Sequence, residues 1–388
     1  MQRTMPIIMF STILLTMSLV QPTETFESAT SLDWRTSIPE QRRRWLRAWF
    51  WSIAAMTLCV LIVGGVTRLT FSGLSIVDWD PLMGVIPPLS ETQWQATFER
   101  YQQFPEYQKT RQGMTLGEFK YIFFWEYLHR LLARTIGLVF LLPFLFFLVR
   151  RWMNRPLAYR SLALFALGGM QGVMGWLMVA SGLVNRPSVS HYRLAAHLTL
   201  AFLIFGYAVW LARELRVTDA RTTVDDRALR MMKLGLAWVG VLLGLQIIWG
   251  AFVAGLKAGF FANTFPLMGG RLVPRDLLRL EPALLNFVAN GIAVQWLHRL
   301  LGTVLVLAVF ALLARISRDR PDRATLRYAI AFVTLVSVQY LLGIATLLLA
   351  VPVPLGVTHQ VTALILFGIW IMWVHHTRQL VPSNNVRV

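Results

Sequence analysis

The chain has one cysteine, Cys59, and it falls inside a long apolar run. No intramolecular disulfide and no cysteine-built metal centre is possible, so any metal must be held by His, Met or carboxylate. Charge is scarce too: 14% of residues are Asp, Glu, Lys or Arg, against about 25% in soluble domains. Acids are the scarcer sign, 19 against 37 bases, for a formal net charge of +18. A basic balance can signal nucleic acid. Here the bases stand in short clusters between apolar runs, which is the pattern of membrane topology, and no nucleic-acid partner is expected. With 56% hydrophobic residues over a length of 388, the fold class is an all-α integral membrane protein.

A helix needs ~20 mostly apolar residues to cross a bilayer. Eight runs qualify, at roughly 46–67, 121–149, 161–181, 194–213, 234–255, 289–314, 328–350 and 358–376. The earlier run Pro6–Val20 follows Arg3 and lacks a small-x-small cleavage site. It is too short to count as a ninth span, and residues 1–44 read as an N-terminal extension, signal-like or a peripheral helix. Arginines cluster before span one (Arg42, Arg43, Arg44, Arg47) and between spans two and three (Arg150, Arg151, Arg155, Arg160). They cluster again between spans four and five (Arg213, Arg216, Arg221, Arg227, Arg230) and six and seven (Arg315, Arg318, Arg320, Arg323, Arg327). These alternate loops are expected on the cytoplasmic side, with both termini inside. The long loop 68–120 carries Asp78, Asp80, Glu91, Glu99, Glu106 and Glu118 and is expected outside, with short helices of its own.

The chain repeats itself. "GGVTRLTFSGLSIVDWDPLMG" from Gly64 resembles "GAFVAGLKAGFFANTFPLMG" from Gly250; "EYLHRLLA" from Glu126 resembles "QWLHRLLG" from Gln295. "MQGVMG" from Met170 and "AAHLTLAFLIFG" from Ala195 find partners in "VQYLLG" from Val338 and "VTHQVTALILFG" from Val357. The expectation is two pseudo-twofold-related four-helix bundles in parallel orientation. The N-terminal half covers 45–213, a cytoplasmic linker 214–233, the C-terminal half 234–378 and a tail 379–388. A Gln-x-x-x-Gly step recurs at Gln171, Gln246 and Gln339, and reads as small-residue helix packing.

The repeat pairs four histidines: His129 with His298, and His197 with His359. Each is expected in the first turns of an even-numbered span, near the outer face. Intramembrane ionisable residues default to function. Zinc prefers three or four ligands, whereas two facing imidazoles suit the axial positions of a haem iron in a four-helix housing. Arg130 and Arg299 directly follow a histidine and Arg193 lies one turn before His197; they can pair with haem propionates or snorkel to the interface. His191 has no repeat partner, and His375 and His376 read as solvated span-end residues.

The symmetry breaks at Glu126, whose counterpart is Gln295. Glu126 lies three residues before His129, on the same helix face. A carboxyl there is costly to ionise and can pass protons, or it can hydrogen-bond a ring nitrogen or the backbone. Both readings stay open.

From about Arg44 to Arg378 the chain resembles heme A synthase, of the type found in mitochondria and many Gram-negative bacteria. The stretches that carry this are "GGVTRLTFSGLSIVDWDPLMGVIPPL", "FKYIFFWEYLHRLLAR", "YRLAAHL", "GAFVAGLKAGFFANTFPLM", "QWLHRLLG" and "THQVTALILF". The resemblance implies a haem-dependent membrane oxidoreductase. Its reaction is oxidation of the C8 methyl of heme O to the formyl of heme A, for terminal cytochrome oxidases, by successive hydroxylations with O2. It also implies His129 and His197 around the substrate haem, His298 and His359 on a resident heme b, and Glu126 as the family's activity-requiring Glu. All four histidines are then ligands to haem iron. A ferredoxin-like electron donor and a heme O synthase are the partners it implies. The location it implies is the bacterial inner (plasma) membrane, or the mitochondrial inner membrane. Some members carry paired loop cysteines, which this chain lacks. The rival function is a non-enzymatic diheme b-type membrane cytochrome relaying electrons; a repeat-built transporter is disfavoured by the absence of paired Gly/Pro interruptions.

Overall fold

The computed structural model describes residues 34–77, 86–183, 188–217, 222–319 and 321–383. The run Pro6–Val20, Asp78, Asp80, Arg221, Arg320 and the Pro-Leu-Met-Gly string from Pro81 lie outside the described residues. Among the described residues eleven α-helices follow in order: α1 (Glu40–Leu69), α2 (Glu91–Gln102), α3 (Pro105–Thr110), α4 (Leu116–Val149), α5 (Arg155–Leu183), α6 (His191–Glu214), α7 (Asp226–Gly255), α8 (Asn286–Ala289), α9 (Gly291–Arg318), α10 (Arg323–Leu348) and α11 (Val353–Gln379). Among the described residues the only sheet is a parallel pair, β1 (Thr223–Val224) with β2 (Val381–Pro382), which ties the tail to the loop before α7. Eight helices, α1, α4–α7 and α9–α11, are long and apolar enough to cross a membrane.

The spans fall where the apolar runs predict, but several helices begin earlier. An apolar run marks the stretch matched to hydrocarbon, while the helix continues through polar residues until a cap stops it. The Thr115 side chain accepts from the Glu118 amide and the Glu118 carboxylate accepts from the Thr115 amide, so α4 starts at Leu116. Asp225 caps α7 and Asp322 caps α10 in the same manner. One consequence touches the site: His129 lies well inside α4, not in its first turns, whereas His197, His298 and His359 sit within the first turns of α6, α9 and α11.

Half of the apolar stretch of α6 is buried but only 6% of that of α5, so α6 is central and α5 faces lipid. Helix α1 packs on α4, α6 and α11; α7 packs on α9; α10 packs on α11; α6 also meets α7 and α11. The contact of α6 with α11 is reciprocal. A Cβ on Gly206 would come within 2.6 Å of the Phe367 ring, and one on Gly368 within 2.9 Å of the Phe205 ring. Each helix offers a Phe-Gly pair, and each Phe fills the notch left by the other's glycine. A continuous apolar core runs from Leu46 and Phe50 through Phe202 and Ala208 to Phe332 and Trp373.

The long-loop end has its own small core of Phe98, Tyr101, Phe119, Ile122 and Phe123. Glu106 of α3 is buried against it, 7% exposed. Burial pushes its carboxyl up to about 7; Arg111 pulls the other way and Glu126 adds to the rise. The folded state therefore holds this proton more tightly than the unfolded chain. The associated stability is present below about 4.5 and is lost as pH rises to about 7. Glu106→Gln, which stays neutral, is expected to increase amide protection of 91–110 at pH 8, by on the order of 1 kcal/mol or more, and to change little at pH 5. Hydrogen exchange checks this; equal gains at both pH values would contradict it.

Candidate functional site

The site begins with glycine. Each of the four histidine rings lies over a glycine of a neighbouring span: His129 over Gly64 of α1, His197 over Gly175 of α5, His298 over Gly250 of α7 and His359 over Gly343 of α10. A Cβ would stand 2.7 Å from Cε1 of His129, 3.5 Å from that of His197, 3.1 Å from that of His298 and 3.0 Å from that of His359. The glycines of the Gln-x-x-x-Gly step therefore make room for imidazoles rather than for generic helix contact.

The glutamines of the step also point at the rings. The amide Nε2 of Gln171 lies 3.2 Å from Nε2 of His197, that of Gln246 3.4 Å from His298, and that of Gln339 3.4 Å from His359. At the fourth place Val60 stands four residues before Gly64, and no glutamine reaches His129. This role of the glutamines escaped the sequence reading, although their spacing from the glycines was its signal.

The polar accounting around the rings is incomplete. Nδ1 of all four histidines is buried without a partner in good hydrogen-bond geometry, although the backbone of Val60, Gln246 and Gln339 comes close to the rings of His129, His298 and His359, and Oε1 of Gln171, Gln246 and Gln339 is unpartnered too. Orphaned buried polar atoms are rare and call for an explanation. His298 and His359 line one cavity of about 270 Å³, together with Leu243, Leu305, Val336 and Leu366. That is many times a water's share of about 30 Å³, and its walls are mostly apolar. His129 and His197 are close enough to act on each other electrostatically, as are His298 and His359. Among the described residues no group of three or more His, Cys, Asp or Glu could hold a bare metal ion. The second pair, facing an apolar cavity, fits a flat cofactor that brings its own equatorial ligands.

Glu126 is 2% exposed. Its Oε2 accepts from Ser75 Oγ at 2.7 Å and the Ile76 amide at 2.8 Å, and its Oε1 from Arg130 Nη2 at 2.6 Å. Arg130 Nη2 also donates to the Ile76 carbonyl at 2.8 Å. Three donors converge on the carboxyl. Gln295 is inverted in character. Its Nε2 donates to the carbonyls of Ala258 and Phe261 at 2.9 and 2.8 Å, and its Oε1 accepts from Arg299 Nη2 at 3.2 Å. The loop facing α4 presents donors and the loop facing α9 presents acceptors. Carboxylate and amide each match their loop, so the Glu-to-Gln change has a structural cause, whatever else Glu126 does.

The three arginines differ. Arg130 is spent on Glu126 and Ile76. Arg193 donates to the Leu177 carbonyl. Arg299 lines the cavity of the second pair, but its Nη1 and Nη2 serve Thr264, Ala262 and Gln295. His191 packs against Gly255 and beside Phe252, at the junction of α6 and α7, and takes no place near either pair. His375 is buried at the arginine-rich end, edge-on to Trp210, rather than solvated; the helix carries it into the core beside α6. His376 meets Asp322 and Thr325 there.

The glycine spacing gives a graded expectation. Gly64→Ala drives a methyl into the His129 ring and is expected to disturb the first pair most. Gly343→Ala and Gly250→Ala should disturb the second pair less, and Gly175→Ala hardly at all, with overpacking costs of about 1–3 kcal/mol where rings must move. Haem content and product yield of the four variants check the order; a uniform response would break the link to ring contact.

Comparison with known proteins shows the chain's family. The chain is 45% identical over 329 residues to a heme A synthase of Nitrosospira multiformis, covering 84% of this chain and 92% of the relative. It is 47% identical over 331 residues to a heme A synthase of Rhodospirillum centenum, covering 85% and 87%. It is 46% identical over 334 residues to that of a Chelativorans species, covering 86% and 91%. The family model described as COX15-CtaA, cytochrome oxidase assembly protein, matches residues 47–371 and so takes in all four histidines and Glu126. The chain belongs to the COX15-CtaA family of cytochrome oxidase assembly proteins.

Proposed function

We propose that this membrane protein is a heme A-forming enzyme, oxidising the C8 methyl of heme O to a formyl group by successive hydroxylations. The observation that carries the proposal is the double pair of glycine-seated imidazoles with unpartnered ring nitrogens. His129 and His197 bracket heme O, and His298 and His359 hold a resident heme b. The bound haem iron supplies the redox chemistry.

The chain's own residues do the rest. Gly64, Gly175, Gly250 and Gly343 fix each ring's distance from its neighbouring helix. Apolar walls such as Leu243 and Leu305 exclude water from the second cavity. Glu126 is the titratable group one helical turn from His129, anchored by Ser75, Ile76 and Arg130, and is placed to handle protons at the first pair. The location proposed is the bacterial plasma membrane, with the arginine-rich loops and both termini on the cytoplasmic side. A ferredoxin-like donor, and a heme O synthase as the source of substrate, complete the scheme.

Haem extraction and chromatography from cells making heme O, with and without this protein, test the function. Heme A is expected only when the protein is present. Haem-loaded protein that yields no heme A would instead support the electron-relay reading.

A further inference from the structure

The cavity between His298 and His359 takes part of its wall from the other half of the molecule. Arg68 and Leu69, in the last turn of α1, and Phe71 just after it line the cavity together with Lys257 and Arg299. Among the described residues no Asp or Glu lines it. The Arg68 side chain is half-buried against this cavity, and among the described residues its guanidinium has no hydrogen-bond or ion-pair partner. Lys257 Nζ rests 4.5 Å from the centre of the Phe71 ring. Arg299 has Nη1 and Nη2 occupied by carbonyl and amide oxygens. Arg68 is thus the cation of this wall with nothing to hold.

A cation facing an apolar cavity without a counter-charge is costly, and the described residues offer Arg68 none. Its place is nevertheless fixed. Arg111 Nη2 donates to the carbonyls of Thr70 and Phe71 at 3.2 and 2.9 Å, and a few residues on the same loop is gripped by Glu126 and Arg130 at Ser75 and Ile76. A built position, an unanswered cation and a cavity with paired imidazoles together call for a ligand that carries anionic groups at one edge of a flat apolar body.

We propose that Arg68 of the first half anchors a carboxylate of the haem held between His298 and His359 in the second half. The assignment rests on the haem reading of that pair. It makes Arg68 a binding residue that neither the repeat nor the histidine spacing announces, and it ties the seat of the resident haem to the loop that Glu126 grips.

The test uses full-length protein purified in detergent. Removing a cation beside the haem favours the ferric form. Arg68→Gln is expected to lower the reduction midpoint of the second-half haem by roughly tenfold in equilibrium constant, about 59 mV for one electron. It should also speed haem transfer to apomyoglobin several-fold. Arg68→Lys keeps the charge and should restore most of the midpoint. A second measurement needs no variant: wild-type apoprotein loaded with haem dimethyl ester should release it faster than the free diacid, and in Arg68→Gln the two should leave at more similar rates. An unchanged midpoint in Arg68→Gln, or ester and diacid leaving the wild type at equal rates, overturns the assignment. Wild-type protein that holds no haem, or His298→Ala that keeps the second-half haem, overturns the reading of the site itself.

Discussion

Glu126→Gln should abolish heme A formation, by two orders of magnitude or more on the scale of general acid–base catalysis, while the haem spectrum of the second half stays intact. Two physical effects run together in this variant. The titratable proton is lost. In addition, an amide nitrogen must face either Arg130 or the Ser75–Ile76 donors, which leaves a partly buried guanidinium or a backbone amide without its acceptor. Breaking a buried pair in this way costs about 3–5 kcal/mol. Ser75→Ala separates the effects. It removes one of the three donors but leaves the carboxyl able to titrate. If proton handling is the essential role, Ser75→Ala keeps heme A yield within about tenfold of wild type, a loss consistent with one hydrogen bond of about 1 kcal/mol. If the clamp is the essential role, both variants fall together. A normal yield from Glu126→Gln would remove Glu126 from the chemistry altogether.

The second large effect is expected at His298. His298→Ala should lose the resident haem, reducing bound haem at least tenfold at that site, because one ring of the facing pair across the cavity is gone and His359 alone remains. His129→Ala should keep that haem, since its ring lies over Gly64 of α1 in the other half, and should lose heme A yield instead. Optical spectra and extracted haem per chain distinguish the two patterns. Unchanged haem in His298→Ala would place the prosthetic group elsewhere. Full heme A yield from His129→Ala would end the assignment of the first pair to substrate.

The eight spans were legible in the sequence, because apolar run length responds directly to bilayer thickness. The histidines were legible because an internal repeat singles them out. What stayed hidden depends on which atoms a folded loop turns toward a helix. Nothing in the string shows that the loop around Ser75 offers donors while the loop from Ala258 to Thr264 offers carbonyls. The Glu126/Gln295 contrast could therefore be seen but not explained. Gln171, Gln246 and Gln339 read as packing neighbours of glycine; only the crossing of the helices aims their amides at imidazoles. Arg68 marked only the start of the long loop, because the cavity it faces is built mainly by residues some two hundred positions later in the chain. Solvation was misjudged once, at His375, where a position near a helix end looked wet but the neighbouring helix covers it.

The Phe-Gly exchange between α6 and α11 has a practical corollary. Because Phe205 fits Gly368 just as Phe367 fits Gly206, either segment carries both the plug and the socket. The present chain, severed in the linker between Arg216 and Asp225, should reassemble when its fragments are co-expressed, and that outcome would identify the seam, not the covalent connection, as what keeps the molecule whole.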